Sequence, residues 1–370
     1  MEKFEQEPHT NKIDLSIIVP AFEPEKYLVR FIDRICELDQ VLFEAQIIAE
    51  LIFIHNGIHY GSNNETTKST IVAFPKLRSI SFNYFSYPKK LTPGMARNIG
   101  IEASSGKYLF FHDVDDLFNL DFVESLPQLI KPDLGLINQY DYIIFNYRKI
   151  RNRATELINH GSQYCDTELN KKDLFEYLGR YMDEPHIYTF FVHCWSKLYR
   201  RSFLISHQIK FNEKMDQLED VNFNFQMLMY QPRIFHANKT AYDYYIGQNN
   251  SNLSSNSGTN GKRDIRAVIK SLSIVKTFLM RSGMKSKEVK HKTRHLYATT
   301  YVLWILRVGK KAQNVLKLHR SLNSYVSSPI VQSSMRYYKH LPQTTWWLPK
   351  FLLYRLNVLL TIFLYIKTKG

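Results

Sequence analysis

The chain has 370 residues, of which 44% are hydrophobic and 14% aromatic, so it can form a packed core and is not a wholly disordered protein. Its length exceeds what one hydrophobic core usually serves, which predicts a large domain with an appendage, or two domains. The formal charge of +15 is uneven, because residues 262–370 hold 22 basic and two acidic residues whereas residues 1–261 are mildly acidic.

Short apolar strands alternate with helical segments in the first third of the chain. We predict strands at 15–19, 47–54, 79–85 and 107–111, and helices at 26–38, after the polar loop 60–68, and at 93–103. This alternation predicts an α/β fold with a mostly parallel central sheet and helices on both faces. Ligands of such folds bind outside the carboxyl ends of the strands.

The rest of the chain divides at a polar segment. A predicted helix at 120–130 and strand at 141–149 lead into mixed short elements, and 248–261 has the Gly, Ser and Asn content of a linker or loop. We therefore predict a polar N-terminal segment at 1–12, an α/β domain at 13–247, and a basic, mainly α-helical C-terminal region at 262–370. In that region, 265–280 and 295–306 are predicted helices, and 351–366 is an apolar run shorter than the roughly 20 residues of a bilayer span.

The compartment is indicated by the cysteines and by the first residues. Cys36, Cys165 and Cys194 are odd in number and far apart, which favours a reducing cytosol over a disulfide framework or a zinc site. Residues 1–12 are polar and lack an apolar stretch, so we predict no signal peptide.

An acidic cluster follows the fourth predicted strand. Asp113, Asp115 and Asp116 lie directly after apolar residues, so several carboxylates meet at the ligand edge of the sheet. Like charges this close need a counterion, and hard oxygen ligands favour Mg²⁺ or Mn²⁺, which would neutralise charge on a leaving phosphate. The alternative is a solvated acidic turn in which Asp116 caps a helix.

Several motifs lie along the first two thirds of the chain. They are 16–22 (SIIVPAF), 94–100 (GMARNIG), 106–116 (GKYLFFHDVDD), 194–201 (CWSKLYRR), Phe211 and 219–223 (EDVNF). Together, in residues, order and spacing, these motifs resemble the family 2 glycosyltransferases, which have the Rossmann-like GT-A fold. The resemblance covers about residues 13–250.

The resemblance implies an inverting transfer from a nucleotide-diphosphate sugar, with Asp220 as the base that takes the proton of the acceptor hydroxyl. It implies that Asp115, with Asp113, holds the metal. Acids at a helix start are the alternative for Glu219 and Asp220.

Further residues are carried over by the same matching. The implied donor-nucleotide residues are Pro20, Ala21, Phe22, His55, Asn56, Arg97, Asp113 and Val114. The implied acceptor-side residues are Glu219, Trp195 and Lys197. A surface helix position is the alternative for Arg97, and a core position is the alternative for Trp195.

One segment departs from the family pattern. After the second strand the family usually has an acidic pair, the first of which accepts from a uracil ring, whereas this chain has His55 and Asn56. A histidine can still hydrogen-bond a base edge, so a UDP-sugar remains the expected donor, with the base less firmly indicated.

The basic C-terminal region suits an anionic membrane surface better than nucleic acid, since no nucleic-acid reader motif is present. Trp304, Trp346, Trp347 and Tyr354 accompany Lys350 and Arg355, as at a membrane interface. We therefore predict a cytoplasmic protein, peripheral on the inner face of the plasma membrane through 346–370. The alternative is a helical cap packed on the catalytic domain, and a homodimer is left open.

The function predicted is sugar transfer to a glycan or lipid-linked glycan in cell-surface polysaccharide synthesis. The alternative is a catalytically inactive glycan- or nucleotide-binding protein on the same fold. A nucleotidyltransferase ranks lower, because segment 20–24 (PAFEP) has no glycine to form a triphosphate loop after the first strand.

Overall fold

A computed structural model describes residues 2–5, 12–57, 74–130, 140–151, 154–158, 165–215, 217–246, 265–311, 314–326, 329–339 and 348–369. The chain forms two compact units, the first made of Met1–Asn170 with Phe190–Gly261 and the second of Lys171–Thr189 with Lys262–Gly370. The predicted linker 248–261 and the predicted helix after residue 68 lie outside the described residues.

The described strands and helices are numbered in chain order. The strands are β1 (Glu2–Glu5), β2 (Leu15–Ala21), β3 (Ala49–Asn56), β4 (Ile80–Tyr87), β5 (Tyr108–Phe111), β6 (Leu117–Phe118), β7 (Tyr142–Arg151), β8 (Ala154–Ile158), β9 (Thr167–Leu169), β10 (Lys197–Arg200) and β11 (Ile234–Tyr245). The helices of the first unit are α1 (Glu25–Glu44), α2 (Pro93–Ala103), α3 (Leu126–Ile130), α5 (Arg201–Ser206) and α6 (Glu219–Met229). Those of the second unit are α4 (Lys171–Asp183), α7 (Ile265–Ser271), α8 (Ser273–Arg281), α9 (Ser286–Lys311), α10 (Val315–Val326), α11 (Pro329–Met335), α12 (Leu348–Leu353) and α13 (Asn357–Lys369).

One mixed sheet organises the first unit, in the order β1-β4-β3-β2-β5-β10-β7-β11-β6. The neighbours β4, β3, β2 and β5 are parallel, and β10 then runs antiparallel to β5 and β7. The α/β fold with a parallel centre is confirmed. Because β2, β3 and β5 are parallel, their carboxyl ends open on one edge, where segments 20–22, 55–57 and 112–116 follow.

A buried carboxylate on α1 fixes how β4 begins. Asp39 on α1 accepts three backbone N–H groups, from Arg78, Ser79 and Ile80, at 2.8–3.0 Å. These bonds hold α1 against the start of β4. They satisfy a charge that would be costly to bury alone.

Close packing between α2 and β2 depends on a glycine. A Cβ atom built on Gly100 would lie 2.3 Å from Cγ2 of Ile18 in the strand beneath. Ile18 is fully buried, so neither side chain can move away without disturbing the core. Gly100 therefore sets the spacing that brings α2 to the carboxyl edge of the sheet.

The second unit consists of helices in the part that is described, and the predicted helical C-terminal region is confirmed. Predicted helix 265–280 is two helices that meet at Leu272, and 295–306 is the middle of the longer α9. The apolar run 351–366 is interrupted where Arg355 adopts a left-handed φ of 55° between α12 and α13. Among the described helices none is long and apolar enough to cross a membrane.

Gly100→Ala should destabilise the protein by about 1–3 kcal/mol, because the new methyl group overlaps Ile18. Gly179→Ala is the matched control, since a Cβ there meets only the Lys292 ammonium at 4.0 Å. Alanine is the better helix former, so this control should be neutral or slightly stabilising. Urea unfolding of both variants checks the difference, and equal midpoints would show that α2 is not so tightly packed.

Candidate active site

A single guanidinium joins three carboxylates at the carboxyl edge of the sheet. Arg97 on α2 donates from Nη2 to Asp113 Oδ1 at 3.0 Å, from Nη1 to Glu219 Oε1 at 3.1 Å, and from Nη1 to Asp220 Oδ1 at 2.9 Å. Asp113 follows β5, and the other two acids begin α6. Residues more than 120 positions apart in the sequence thus share one cation.

The N-terminal turn of α2 and the contacts beside it position Arg97. Thr92 caps the helix by accepting from the Met95 N–H at 3.2 Å, and Pro93 occupies the first helical turn. Asn98, the next residue after Arg97, exchanges two hydrogen bonds of 2.9 Å with the backbone of Phe211. The Phe211 ring in turn lies 5.4 Å from the Arg97 guanidinium, so neighbouring side chains of one helix fix both the cation and its aromatic support.

Burial makes the electrostatics of this cluster strong. Burial alone would lower the pKa of Arg97, but the surrounding carboxylates raise it well above its ordinary value, so it is a permanent cation. Burial, reinforced by the charge of Asp220, raises the pKa of Glu219. Burial also raises the pKa of Asp113, although Arg97 opposes that effect. Three carboxylates against one guanidinium leave an excess of negative charge.

The acidic segment is anchored by β11. Asp116 is buried, and its carboxylate accepts from the Tyr242 hydroxyl and from the Tyr245 N–H, both at 2.8 Å. Burial, with the charges of Asp115 and Asp113, raises the pKa of Asp116 well above its ordinary value. Tyr242 also accepts from the Asp113 N–H at 3.2 Å, so one hydroxyl holds both ends of the segment.

Asp115 is placed differently from its neighbours. The backbone oxygen of Asp115 accepts from Arg30 Nη2 at 2.6 Å, and the residue as a whole is half-buried. Asp113 retains 31% exposure of its side chain, although Arg97 occupies one oxygen. Asp115 and Asp113 are therefore the less buried acids of the segment, whereas the Asp116 carboxylate is engaged by hydrogen bonds from Tyr242 and Tyr245.

The donor set fits a metal that is completed by substrate. No group of three or more His, Cys, Asp or Glu side chains in the described part of the chain could hold an ion unaided. Magnesium and similar ions, however, are commonly bound through one or two carboxylates together with phosphate oxygens and water. Asp115 and Asp113, in a site with excess negative charge, match that arrangement.

The segments expected to hold the nucleotide base meet beside β2 and β3. Asn56 is buried and joins them, since its amide donates to the Ala21 oxygen at 3.0 Å and its Oδ1 accepts from Leu91 N–H at 3.1 Å. Gly57 has a φ of 78°, and a Cβ there would lie 2.6 Å from the Phe22 ring, so glycine permits this close approach. The Lys90 ammonium lies over the same Phe22 ring, 4.0 Å from its centroid.

His55 is also buried, and its Nδ1 lies 2.8 Å from the Tyr84 hydroxyl. Burial lowers the pKa of His55, so the ring is neutral near pH 7. A neutral imidazole keeps one donor and one acceptor nitrogen, of which the tyrosine engages one.

Trp195 and Lys197 are both buried in the first unit. The Trp195 ring is stacked between His193, at 4.2 Å between centroids, and Tyr242, at 4.4 Å. Lys197 Nζ donates to the Trp195 oxygen at 3.1 Å, and burial lowers the pKa of Lys197 to about 7. The structure thus links these residues to Tyr242 and, through it, to the acidic segment.

Buried hydrogen bonds hold α6 and therefore Asp220. Asn224, one turn beyond Asp220, accepts from the hydroxyls of Tyr142 and Tyr199 at 2.9 and 2.8 Å. Its amide donates to the backbone oxygens of Phe191 and His193 at 3.1 Å. The same loop supplies the Cys194 N–H that donates to Asp220 Oδ2 at 3.3 Å, so both carboxylate oxygens of Asp220 are held.

The structure brings Arg97, Asp113, Glu219 and Asp220 into direct contact, with Asp115 and Val114 in the same segment. Pro20, Ala21, Phe22, His55 and Asn56 form a second group at the ends of β2 and β3. Sequence reasoning missed Tyr242 and Asn224, because nothing in the local sequence around either residue marks its distant partner.

Comparisons with known proteins identify the family to which the chain is similar. The family model described as "Glycosyl transferase family 2" matches residues 16–207. A poly(ribitol-phosphate) beta-N-acetylglucosaminyltransferase, TarP of Staphylococcus aureus, is 26% identical over 305 residues, which cover 80% of this chain and 80% of that protein. A glycosyltransferase of Streptococcus pneumoniae is 24% identical over 63% of this chain, which spans only 30% of that relative.

A solved structure has the same fold over most of its length. The crystal structure of S. aureus TarS residues 1–349 in complex with UDP-GlcNAc aligns with a TM-score of 0.60 at 13% identity, covering 96% of this chain and 90% of that one.

Arg97→Met should destabilise the protein by roughly 3–5 kcal/mol, because it leaves buried carboxylates without their cation. Arg97→Lys should restore part of the stability, because it keeps a positive charge. It should not restore all the hydrogen bonds to Asp113, Glu219 and Asp220, since one ammonium cannot replace the two terminal nitrogens of a planar guanidinium. Urea unfolding measures both effects.

Arg34→Met is the control for this comparison, because Arg34 on α1 pairs with the exposed Glu37 at 3.2 Å. Loss of that exposed pair should cost less than about 1 kcal/mol. If Arg97→Met were no more destabilising than Arg34→Met, Arg97 would not be the cation on which the cluster depends.

Proposed function

The chain belongs to glycosyltransferase family 2, and from that premise we propose that it transfers N-acetylglucosamine, or a related sugar, from a UDP-sugar to a hydroxyl of a phosphate-bearing cell-surface polymer. The observation that carries the proposal is the Arg97 cluster, in which the acid after β5 and the acids at the start of α6 share one guanidinium. The similarity to the S. aureus poly(ribitol-phosphate) enzyme over 80% of both chains supports the polymer class.

In this proposal Asp220 is the catalytic base. An acceptor hydroxyl donates its proton to the Asp220 carboxylate while its oxygen attacks the anomeric carbon, and the bond from that carbon to the diphosphate oxygen breaks with inversion. The hydrogen bonds from Arg97 and the Cys194 N–H orient the carboxylate before the acceptor arrives. Glu219 shares Arg97 Nη1 with Asp220, and its raised pKa makes it a protonatable group beside the base.

Asp115 and Asp113 would hold a divalent cation, Mn²⁺ or Mg²⁺, together with the donor diphosphate. Such an ion neutralises the charge that develops on the leaving phosphate. Val114, between the two acids, and the group formed by Pro20, Ala21, Phe22, His55 and Asn56 would contact the nucleoside. Neutral His55 offers a hydrogen bond to a base edge where the family usually has an acid.

In this proposal Trp195 and Lys197 form part of the wall on the acceptor side of the site. Trp195 is buried by its stacking on His193 and Tyr242, so we assign it to shaping the site rather than to an open sugar platform. Lys197 is tied to that stack because its Nζ donates to the Trp195 oxygen. Assembly as a homodimer stays a prediction.

The activity test is a panel of nucleotide sugars assayed for transfer and for slow hydrolysis, with and without Mn²⁺. Asp220→Asn should lower turnover by roughly 10²–10⁴ because the base is removed. Asp115→Asn should remove the stimulation by Mn²⁺, because it removes a metal ligand. Asp33→Asn, an exposed change on α1, should leave both properties unchanged.

Each assignment can fail separately in this assay. Full turnover by Asp220→Asn would remove it as the base, and unchanged Mn²⁺ stimulation in Asp115→Asn would remove the metal assignment. A panel in which no nucleotide sugar is consumed would contradict the proposed activity.

We further propose that the second unit contacts the anionic cytoplasmic leaflet through α13. One side of this helix carries exposed apolar side chains, namely Val358, Leu359, Ile362, Phe363 and Ile366. An amphipathic helix of this kind in a basic region suits the interface of an anionic bilayer. Trp304 packs inside the unit, Tyr354 is 72% exposed, and Trp346 and Trp347 lie outside the described residues.

Replacing Leu359, Ile362 and Ile366 by Ser should reduce binding to phosphatidylglycerol vesicles by at least tenfold, because burial of each side chain is worth about 1.5 kcal/mol or more. Vesicle co-sedimentation measures this. Val29→Ser, which changes a 69% exposed apolar residue of α1, should have no effect. Equal sedimentation of the triple variant and wild type would contradict membrane docking through α13.

A further inference from the structure

A cavity of about 570 Å³ lies in the second unit and is lined almost entirely by charged and polar side chains. Five lysines contribute to its wall, together with two histidines, one tyrosine and two acids. The lysines are Lys285, Lys287, Lys290, Lys292 and Lys339. This volume lies in the range of small-ligand sites, and no aliphatic residue lines it.

The positive charge of the cavity is largely uncompensated. None of the lysines at 285, 287, 290 and 292 forms an ion pair with another described residue, and Lys339 reaches Asp183 only at 3.9 Å. Asp183 is shared, because His295 Nε2 also lies 3.5 Å from the same oxygen. Burial lowers the pKa of His295, so this histidine adds little charge near pH 7.

The first two turns of α9 concentrate this charge on one side. Lys287, Lys290 and His291 are three and four residues apart, so they project from the same face of the helix. The helix N-terminus adds its own partial positive charge at this end. The ring of Tyr337 stands at the edge of His291, 5.4 Å between centroids, and completes the wall.

We infer that this cavity binds phosphate groups of the acceptor polymer, at a site separate from the Arg97 cluster. The inference rests on the proposed function for the polymer class and adds a second binding site for it. Lysine ammoniums are strongly hydrated point charges that pair with phosphate without fixing its orientation. A flexible polymer whose charges repeat along the chain suits such a site, because successive phosphates can occupy it interchangeably.

The same features argue against the two other polyanions. A bilayer surface is contacted by apolar side chains flanked by cations, and this wall has one tyrosine, two histidines and no aliphatic residue. Single-stranded nucleic acid is held by aromatic side chains on which bases stack, and the single tyrosine here packs against a histidine. A phosphate-bearing polyol chain needs neither feature.

The test compares two double charge reversals in the full-length protein. Lys287→Glu with Lys290→Glu alters the cavity, and Lys270→Glu with Lys276→Glu alters exposed lysines of α7 and α8 outside it. The probes are a synthetic ribitol-phosphate octamer, the ribitol-phosphate monomer, and phosphatidylglycerol vesicles. Octamer binding is measured by fluorescence anisotropy, transfer to both acceptors by kinetics, and folding by urea unfolding.

We expect the cavity variant to bind the octamer on the order of tenfold more weakly, with a shallower salt dependence, because two attractive charges become repulsive. Its KM for the octamer should rise equally, while KM for the monomer and slow hydrolysis of the nucleotide sugar stay unchanged. The control variant should match wild type. If the glutamates destabilise α9, Lys287→Gln with Lys290→Gln should show a smaller loss in the same direction.

Octamer affinity equal in the cavity variant and the control would overturn the inference, as would loss of vesicle binding without loss of octamer binding. An octamer that wild type does not bind would also overturn it. Failure of the proposed function looks different, since wild type would then bind the octamer but transfer no sugar to it. In that case weaker binding by the cavity variant would still support a phosphate site.

Discussion

The pairing of Arg97 with three carboxylates is the interaction on which the rest of the first unit depends. Burying a guanidinium without partners would cost a large amount of folding free energy, and so would burying carboxylates without a cation. Each element that carries one of these groups is therefore held where the others need it. The hydrogen bonds of Thr92, Asn98 and Asn224 act in the same direction, because they fix α2, the Phe211 segment and α6 around this charge.

The same cluster gives the physical reason for proposing a cation in addition to Arg97. Glu219, Asp113 and Asp116 all have raised pKa values, chiefly because of burial, and Arg97 alone cannot compensate them. A nucleotide diphosphate brings further negative charge, so its approach to this edge would be unfavourable without a counterion. Asp115 and Asp113 are the half-buried acids of the segment, whereas the Asp116 carboxylate is bound by residues of β11. Their lower burial is the reason for proposing this pair as the metal ligands.

Part of this arrangement could be predicted from the sequence. The apolar strands at 15–19 and 107–111 and the motifs that follow them indicated the sheet edge, since parallel strands necessarily open their carboxyl ends together. The Arg97 cluster could not be predicted from local pattern, because its members are separated by 16, 122 and 123 positions. The stacking of Trp195 on Tyr242 likewise depends on the sheet order, which places β11 beyond β7. The grouping of residues 171–189 with the C-terminal helices could not be predicted from the sequence either, because an amphipathic helix has the same periodicity whichever core it packs against.

The two proposed sites, one around Arg97 and one in the lysine-lined cavity, suggest a reason for the uneven charge of the chain. In the proposed function, the carboxylates at the sheet edge repel an anionic polymer, although one of them is needed as the base that activates its hydroxyl. One chain can meet both demands if the attraction for the polymer is supplied by other residues, and residues 262–370 hold 22 of its 49 basic residues with two acids. Coulombic attraction of this kind raises the local concentration of the polymer without fixing which hydroxyl reacts. In the proposed function, selection of the hydroxyl is then left to the site around Asp220. This separation assigns attraction for the polymer to lysines of the second unit and the choice of hydroxyl to side chains of the first.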